Sequence, residues 1–280
     1  MAVHPWDLQA LDLDGYLDRL GVSARPPERE ALDELHEAHV RTFSFDNIDV
    51  LLGAHPGVGL AEVQAKFVGR GRGGYCFEHA TLFAAVAERL GYDVRRRLGR
   101  VGDATAAPRT HFVVEIILDG RRLLADPGFG MSLLRPIPLE DGTEDDQNGW
   151  WYRVRRPAGD DRAWELYRLR DEGWELMHTS DELPVRPVDV LMGHHYTSTY
   201  PTSHFRSGLM LTRHLDGRHT TVTAEAVTVR RPGVPTEHRP LRDGELSDLI
   251  LELGVPLTGD EESRLLEVVA ALRSADSQVS

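Results

Sequence analysis

Cys76 is the only cysteine in a chain of 280 residues, and its neighbours bear on whether the thiol reacts or merely packs. A lone cysteine is most often a small buried hydrophobe. This one stands in "GRGGYCFEHATLF", where Gly73 and Gly74 permit a tight or left-handed backbone just ahead of it. Cys76 reads as the first residue of a helix. A helix N-terminus carries partial positive charge and free N–H groups, which favour thiolate over thiol. Arg70 and Arg72 add positive charge nearby. The thiolate is the nucleophile, so each feature points toward reactivity.

A nucleophilic thiol needs a base, and the base needs a group to orient it. The chain has 13 histidines, most of them expected at the surface, so histidine alone says little. His79 lies within reach on the same helix face, but a partner so close in sequence is often accidental. His111 is better placed. It opens "HFVVEIIL", so its ring can project from a strand end. Asp126 ends the next strand, in "LLADPGFG". The turn signal Asp119-Gly120 makes these strands antiparallel neighbours. Similar residue counts on its two sides bring His111 and Asp126 to one end of the sheet. A carboxylate there can accept from one imidazole nitrogen while the other faces the thiol. The alternative is that Asp126-Pro127-Gly128 is only a strand-ending turn, and spacing leaves both readings open.

These residues need elements to hold them. The first 90 or so residues have helical periodicity. "DLDGYLDRLG" stops at Gly21, "PPEREALDELHEAHVRTF" opens with prolines, "LAEVQAKFV" is shorter, and "CFEHATLFAAVAERLG" carries an apolar stripe and ends at Gly91. After Gly91 the period shortens. "DVRRRLGRV", "HFVVEIIL", "RRLLAD", "WWYRVRR", "AWELYRL" and "GWELMHT" are short, β-branched and aromatic, and turn signals separate them. They predict an antiparallel sheet or barrel, with an exposed acidic loop at residues 138–149. A third region begins near "DVLMGHHYTSTYPTSHF". It holds strands in "GLMLTRHL" and "RHTTVTAEAVTVR" and a closing helix from Ser263 to Arg273, and the tail "SADSQVS" is expected to be disordered. The expected class is α+β in three parts: an N-terminal helical bundle (1–90), a central antiparallel β-barrel (91–190) and a C-terminal α/β lid (191–280).

Bulk properties narrow the function. A net charge of −13 argues against nucleic acid and anionic membranes as main partners. One cysteine gives no intrachain disulfide, as a reducing compartment would require. No apolar run approaches a membrane span and the first residues lack the pattern of a signal peptide, so a cytoplasmic location is expected. One cysteine and scattered histidines make no metal-ligand spacing, and no metal is expected. His194 and His195, in "GHHY", read as an exposed helix end. "GRGG" lacks the Lys-Ser/Thr of a phosphate-binding loop.

Together these motifs resemble a family. "RGGYCFEHA", then "PRTHFVVEI", then "LLADPGFG" are similar to motifs of the arylamine N-acetyltransferases, as are "HEAHVRTFSFDNIDV" and "HYTSTYPTSHF". Five motifs in the family's order span nearly the whole chain. The resemblance implies a cysteine-protease-like Cys-His-Asp core, with Cys76 as acyl-accepting nucleophile, His111 as base and Asp126 as orienter. It implies acetyl-CoA, or sometimes propionyl-CoA, as donor, and arylamines, arylhydrazines or hydrazides as acceptors in a ping-pong cycle. Phe45 and Phe205 fall in motif regions that wall the family's pocket. Phe129, two residues past the Asp126-Pro127 pair, is placed to line the same pocket. Thr110 is carried over as a donor contact near the thioester. Ala80, Pro127 and "FSFDN" depart from the usual pattern, which puts substrate preference in doubt more than chemistry. Three alternatives stand beside this reading: a Cys-His-Asp amidase or peptidase, a macrolactam-forming amide synthase of a polyketide pathway, and a binding scaffold with a relic triad.

Overall fold

The change of period at Gly91 is a change of architecture. The structure, a computed structural model, describes residues 4–276. The first part supplies α1 (Leu13–Leu20), α2 (Arg29–Thr42), the two-residue β1 (Phe45–Asp46), α3 (Ile48–Leu51), α4 (Leu60–Gln64, continuing as a π turn over Ala65–Gly69) and α5 (Cys76–Arg89). Asp12 Oδ1 accepts the Gly15 N–H at 2.9 Å to cap α1, and Gly21 ends it at φ 72°. The apolar stripe expected on α5 understates its burial. Every residue from Cys76 to Ala87 is buried, because helices lie on one side of α5 and strands on the other.

Eight strands follow α5 or its successors: β2 (Asp93–Arg100), β3 (His111–Leu118), β4 (Arg121–Ala125), β5 (Ile137–Pro138), β6 (Glu144–Gln147), β7 (Trp150–Arg155), β8 (Ala163–Arg170) and β9 (Gly173–Asp181). They form a nearly closed, barrel-like antiparallel sheet in the order β5-β4-β3-β2-β9-β8-β7-β6. The expected β3–β4 hairpin is present, with Leu118 opposite Arg121 and Val114 opposite Ala125. Asp119 and Gly120 have φ of 50° and 74°, the left-handed pair a tight two-residue hairpin turn requires. The acidic loop expected over 138–149 is corrected in part, since Glu140, Asp141 and Gly142 do form an exposed connection. Residues 144–147 are a strand paired with β7, and Gln147 is buried, its amide joined to the backbone of Leu134 and Arg135. The consecutive acidic residues Glu144, Asp145 and Asp146 show no period-two alternation and masked an edge strand.

The chain closes with α6 (Pro187–Thr199), α7 (His204–Ser207), β10 (Leu211–Leu215), β11 (Arg218–Val222), β12 (Ala226–Arg231), β13 (Val234–Pro240), α8 (Glu245–Glu252) and α9 (Gly259–Asp276). The sequence reading did not name β13, α8 or β1. Ser274, Ala275 and Asp276 belong to α9, and the rest of the tail lies outside the described residues. The second sheet has the order β1-β10-β11-β12-β13, so a strand from the helical part opens it. Its core, around Leu211, Val222 and Leu265, also takes Ile48 and Leu52. Among the described residues no helix is long and apolar enough to cross a membrane.

Candidate active site

The position of Cys76 is fixed by backbone closeness. Gly74 bridges Phe45, with Asp46 N–H donating to Gly74 O at 2.7 Å and Gly74 N–H to Ser44 O at 3.2 Å. A Cβ on Gly73 would lie 1.8 Å from Ser44 O, and one on Gly74 would lie 2.1 Å from Glu78 Oε2. The two glycines are therefore required for close approach. The left-handed residue of this loop is Gly71, at φ 69°, which corrects the role expected for Gly73 and Gly74. Gly128 plays the same part from the other side, since its Cβ would be 2.9 Å from Cys76 Cα. Pro127 costs no ladder bond, because β4 ends at Ala125.

The arginines near Cys76 are committed elsewhere. Arg72 is fully buried and pairs with Asp49 at 2.5 Å and Glu261 at 2.9 Å, while Arg70 pairs with Glu261 at 2.7 Å. Their charge serves α9 and the loop, not the sulfur. Beneath them Lys66 is buried between Asp49 (2.9 Å) and Glu78 (2.7 Å). Burial opposes ionisation of Glu78, but Lys66 and His55 more than offset it and hold its pKa at about 2. Glu78 Oε2 also accepts the Tyr75 N–H at 3.1 Å, so this floor caps α5 directly. His194, expected at an exposed helix end, instead bonds the Tyr75 hydroxyl and packs on His55; His195 is exposed.

His111 and Asp126 come from the barrel. Both are buried, and His111 Nε2 lies 3.1 Å from Asp126 Oδ2. With Nε2 committed, Nδ1 is the ring nitrogen left over, and the Cys76 thiol is near enough to raise the His111 pKa. Burial works against a charged ring, but Asp126 and Cys76 more than offset it, raising the His111 pKa to about 10. Asp126 is held well below the usual carboxylate range: burial raises it, and His111 and His178 overcome that. The Cys76 thiol also lies 3.5 Å from Thr110 O, which places Thr110 beside the sulfur through its backbone.

The three phenylalanines gather round the same point. The Phe129 ring is 5.2 Å from that of His111, Phe45 is 6.2 Å from His79 and 6.3 Å from Phe205, and Phe205 is 5.2 Å from Tyr75. A cleft beside them is lined by Phe45, His79, Pro127, Phe129 and Thr212.

Sequence reasoning missed most of the histidine chemistry. His36, His39, His79, His111, His178, His214 and His219 are all buried, against the expectation of a mostly exposed set. His79 is not a chance neighbour without partners. Its Nε2–H donates to Ser44 O at 3.1 Å, so its Nδ1 accepts from His39 Nε2 at 2.9 Å, and His39 Nδ1 accepts from the Tyr16 hydroxyl at 2.7 Å. His111, Asp126 and His178 bring three metal-capable atoms within 4.8 Å of one another. Both Nε2 atoms turn to the same carboxylate oxygen, so the ring lone pairs do not converge on one point.

A buried carboxylate–imidazole pair and a lone thiol at a helix N-terminus are brought to the same region of the fold. The N-acetyltransferase family model matches residues 29–258. The arylamine N-acetyltransferase of Mycolicibacterium smegmatis is 36% identical over 276 residues, covering 93% of this chain and 99% of that one. That of Escherichia coli is 34% identical over 237 residues, covering 82% and 83%. The structure of the Mycobacterium abscessus arylamine N-acetyltransferase superposes with a TM-score of 0.89 at 32% identity, covering 96% of this chain and 99% of that one. The structure of the Mycobacterium marinum arylamine N-acetyltransferase in complex with CoA superposes at 0.83, also at 32% identity, covering 92% and 99%. The chain belongs to the arylamine N-acetyltransferase family.

Proposed function

We propose that the protein transfers an acetyl group from acetyl-CoA to arylamines or arylhydrazines through an acyl-cysteine on Cys76. The observation that carries this is the buried His111 ring, bonded to Asp126 at 3.1 Å, with the Cys76 thiol near enough to raise its pKa and 3.5 Å from the carbonyl of the adjoining Thr110. The relatives' names and the CoA complex of the M. marinum enzyme support the donor and acceptor classes, and favour acetyl transfer over amide synthase or peptidase activity.

His111 holds the proton in a thiolate–imidazolium pair with Cys76, and the sulfur attacks the thioester carbonyl. N–H groups in the first turn of α5 stabilise the oxyanion; losing one such donor typically costs about 3 kcal/mol. The carbon–sulfur bond of the donor breaks and CoA leaves as a thiol, with the proton supplied by His111. In the second half the amine attacks the acyl-cysteine, His111 receives its proton, and the amide departs with the Cys76 sulfur restored. The first step exchanges one thioester for another and is near neutral; the amide makes the second downhill. Phe45 and Phe129 give the cleft apolar walls, with Phe205 packed 6.3 Å from Phe45, and such walls suit an aryl ring and keep water from the acyl-cysteine. Thr110 is read as a donor contact beside the sulfur.

The division into parts at residues 90 and 190 belongs to this reading. One core cluster joins the helices to β2 and β3, a second fills the barrel, and a third lies under the C-terminal sheet. A cytoplasmic location fits the single free thiol. The test is incubation with acetyl-CoA, with and without an arylhydrazine, following free CoA thiol and the mass of the Cys76 peptide. Acetyl on Cys76 without acceptor, lost when acceptor is added, is expected. Cys76→Ser should abolish turnover, and turnover in that variant rejects the reading.

A further inference from the structure

Asp126 is bonded by two imidazoles, and the reaction as written uses one. His178 Nε2 lies 3.1 Å from Asp126 Oδ2, the same oxygen that His111 Nε2 meets at 3.1 Å. The His178 ring is wholly buried, 4.6 Å from the His111 ring and 5.9 Å from Phe129. An ionised carboxylate only accepts, so His178 Nε2 carries a proton. Its Nδ1 has no hydrogen-bond partner among the described residues. A second proton there would be a buried, unsatisfied charge-bearing N–H, so the ring is held neutral. Burial acts in the same direction, lowering its pKa.

The backbone is built to deliver this ring. Along the β8–β9 ladder Leu166 faces His178, but Tyr167 faces Leu176, so Met177 is an extra residue on β9. Such a bulge shifts the strand's alternation and re-aims the side chain that follows. Other ionisable groups near the carboxylate have other work. Tyr152 donates to Ser132 O, His36 bonds Leu134 O, and Arg168 pairs with Glu175. Cys76 meets the set through His111.

We propose that His178 is a positioning residue of the acyl-transfer site: its Nε2–H locks the Asp126 carboxylate toward His111 and draws off part of the carboxylate's charge, setting how tightly His111 holds its proton. The proposal rests on the Cys76–His111–Asp126 reading. A carboxylate turns freely about its last torsion, and two N–H donors converging on one oxygen remove that freedom. The second donor also matters for proton transfer. General acid–base groups work best with a pKa near the working pH, and His111 already stands at about 10. Without His178 the whole anionic charge would bear on His111 and raise it further.

The test compares His178→Phe and His178→Gln in the full chain, by steady-state turnover and by the pH dependence of Cys76 alkylation by iodoacetamide. The phenylalanine keeps a ring without the donor, and the glutamine restores an N–H near the same place. In His178→Phe, turnover should fall about tenfold or more with acceptor KM little changed. The alkaline limb of the alkylation profile should move up by roughly half a pH unit or more. His178→Gln should recover most of both. A folded His178→Phe with the wild-type limb and turnover overturns the proposal, as does a glutamine variant no better than phenylalanine. If His178→Phe does not fold, imidazole nitrogen NMR of the wild-type protein decides. A proton on Nε2 and none on Nδ1 of His178 is expected near neutral pH, and the opposite tautomer or a cationic ring overturns it. Turnover in Cys76→Ser would reject the triad while leaving the tautomer result standing, so the two failures are distinguishable.

Discussion

Asp126 sets the charge of everything it touches. It stabilises the proton on His111 against the burial that would strip it. Asp126→Asn keeps size and shape but removes the anion, so burial then acts on His111 unopposed and its pKa falls from about 10. The ring becomes neutral near pH 7, and the amide can turn its NH2 toward His111 and fix the wrong tautomer. Turnover should drop on the order of 10⁴-fold with far-UV circular dichroism unchanged, by analogy with other triads. A variant within tenfold or so of the parent would remove Asp126 from its orienting role. At this scale the sequence was partly legible. Cys76, His111 and Asp126 could be found because each marks the end of an element, and element ends are where counting works. His178 could not, because it lies past a bulge, and period-two counting loses a strand's face at one inserted residue.

Elements show the same division between local and distant information. The β3–β4 hairpin was readable because Asp119-Gly120 encodes its own turn and the turn fixes the register. The pairing of β1 with β10 was not, since two residues, Phe45 and Asp46, meet Thr212 and Leu211 across the length of the chain with no local signal. Yet that short strand is what holds the loop before Cys76. It follows that Gly73→Ala is far more harmful than its chemistry suggests, because the new methyl would overlap Ser44 O. It should cost about 3 kcal/mol in urea unfolding and slow Cys76 alkylation, since the start of α5 must move. Gly69→Ala is the control. Gly69 is exposed, a Cβ there meets nothing within 4 Å, and the change should stay within about 0.5 kcal/mol. Equal effects in the two variants would mean that backbone closeness at Gly73 is not what positions the helix.

Over the whole molecule the buried histidines couple the fold to pH. His36 and His79 are brought by burial to a pKa of about 4 and His214 to about 3, and burial lowers His39, His178 and His219 as well. In the unfolded chain each titrates near 6.5. Below that pH the unfolded state binds protons the native state refuses, so stability falls as pH falls from about 6.5 toward 4. His111 has the opposite shift, to about 10. Its contribution is fully present below 6.5 and is lost progressively as pH rises from 6.5 through 10, so it does not relieve the acid side. Asp33 and Asp46, raised by burial, act against the trend but are outnumbered. The carboxylates Glu78 and Asp126, both lowered, begin to add to the loss only near pH 4, which leaves the window above it to the histidines. Each contributing ring adds at most about 1.4 kcal/mol per pH unit, so His36, His79 and His214 alone should lower the unfolding free energy on the order of 4 kcal/mol between pH 6.5 and 5. His214→Gln isolates one term. It keeps a donor for Ser132 O, which His214 Nε2 meets at 3.1 Å, and it should flatten the slope by roughly one ring's share. Urea midpoints measured at each half pH unit would show it. A parent protein equally stable at pH 7 and pH 5 would mean that these rings take up protons in the folded state, and that the neutral chain from Tyr16 through His39 to His79 beneath the nucleophile does not exist in solution.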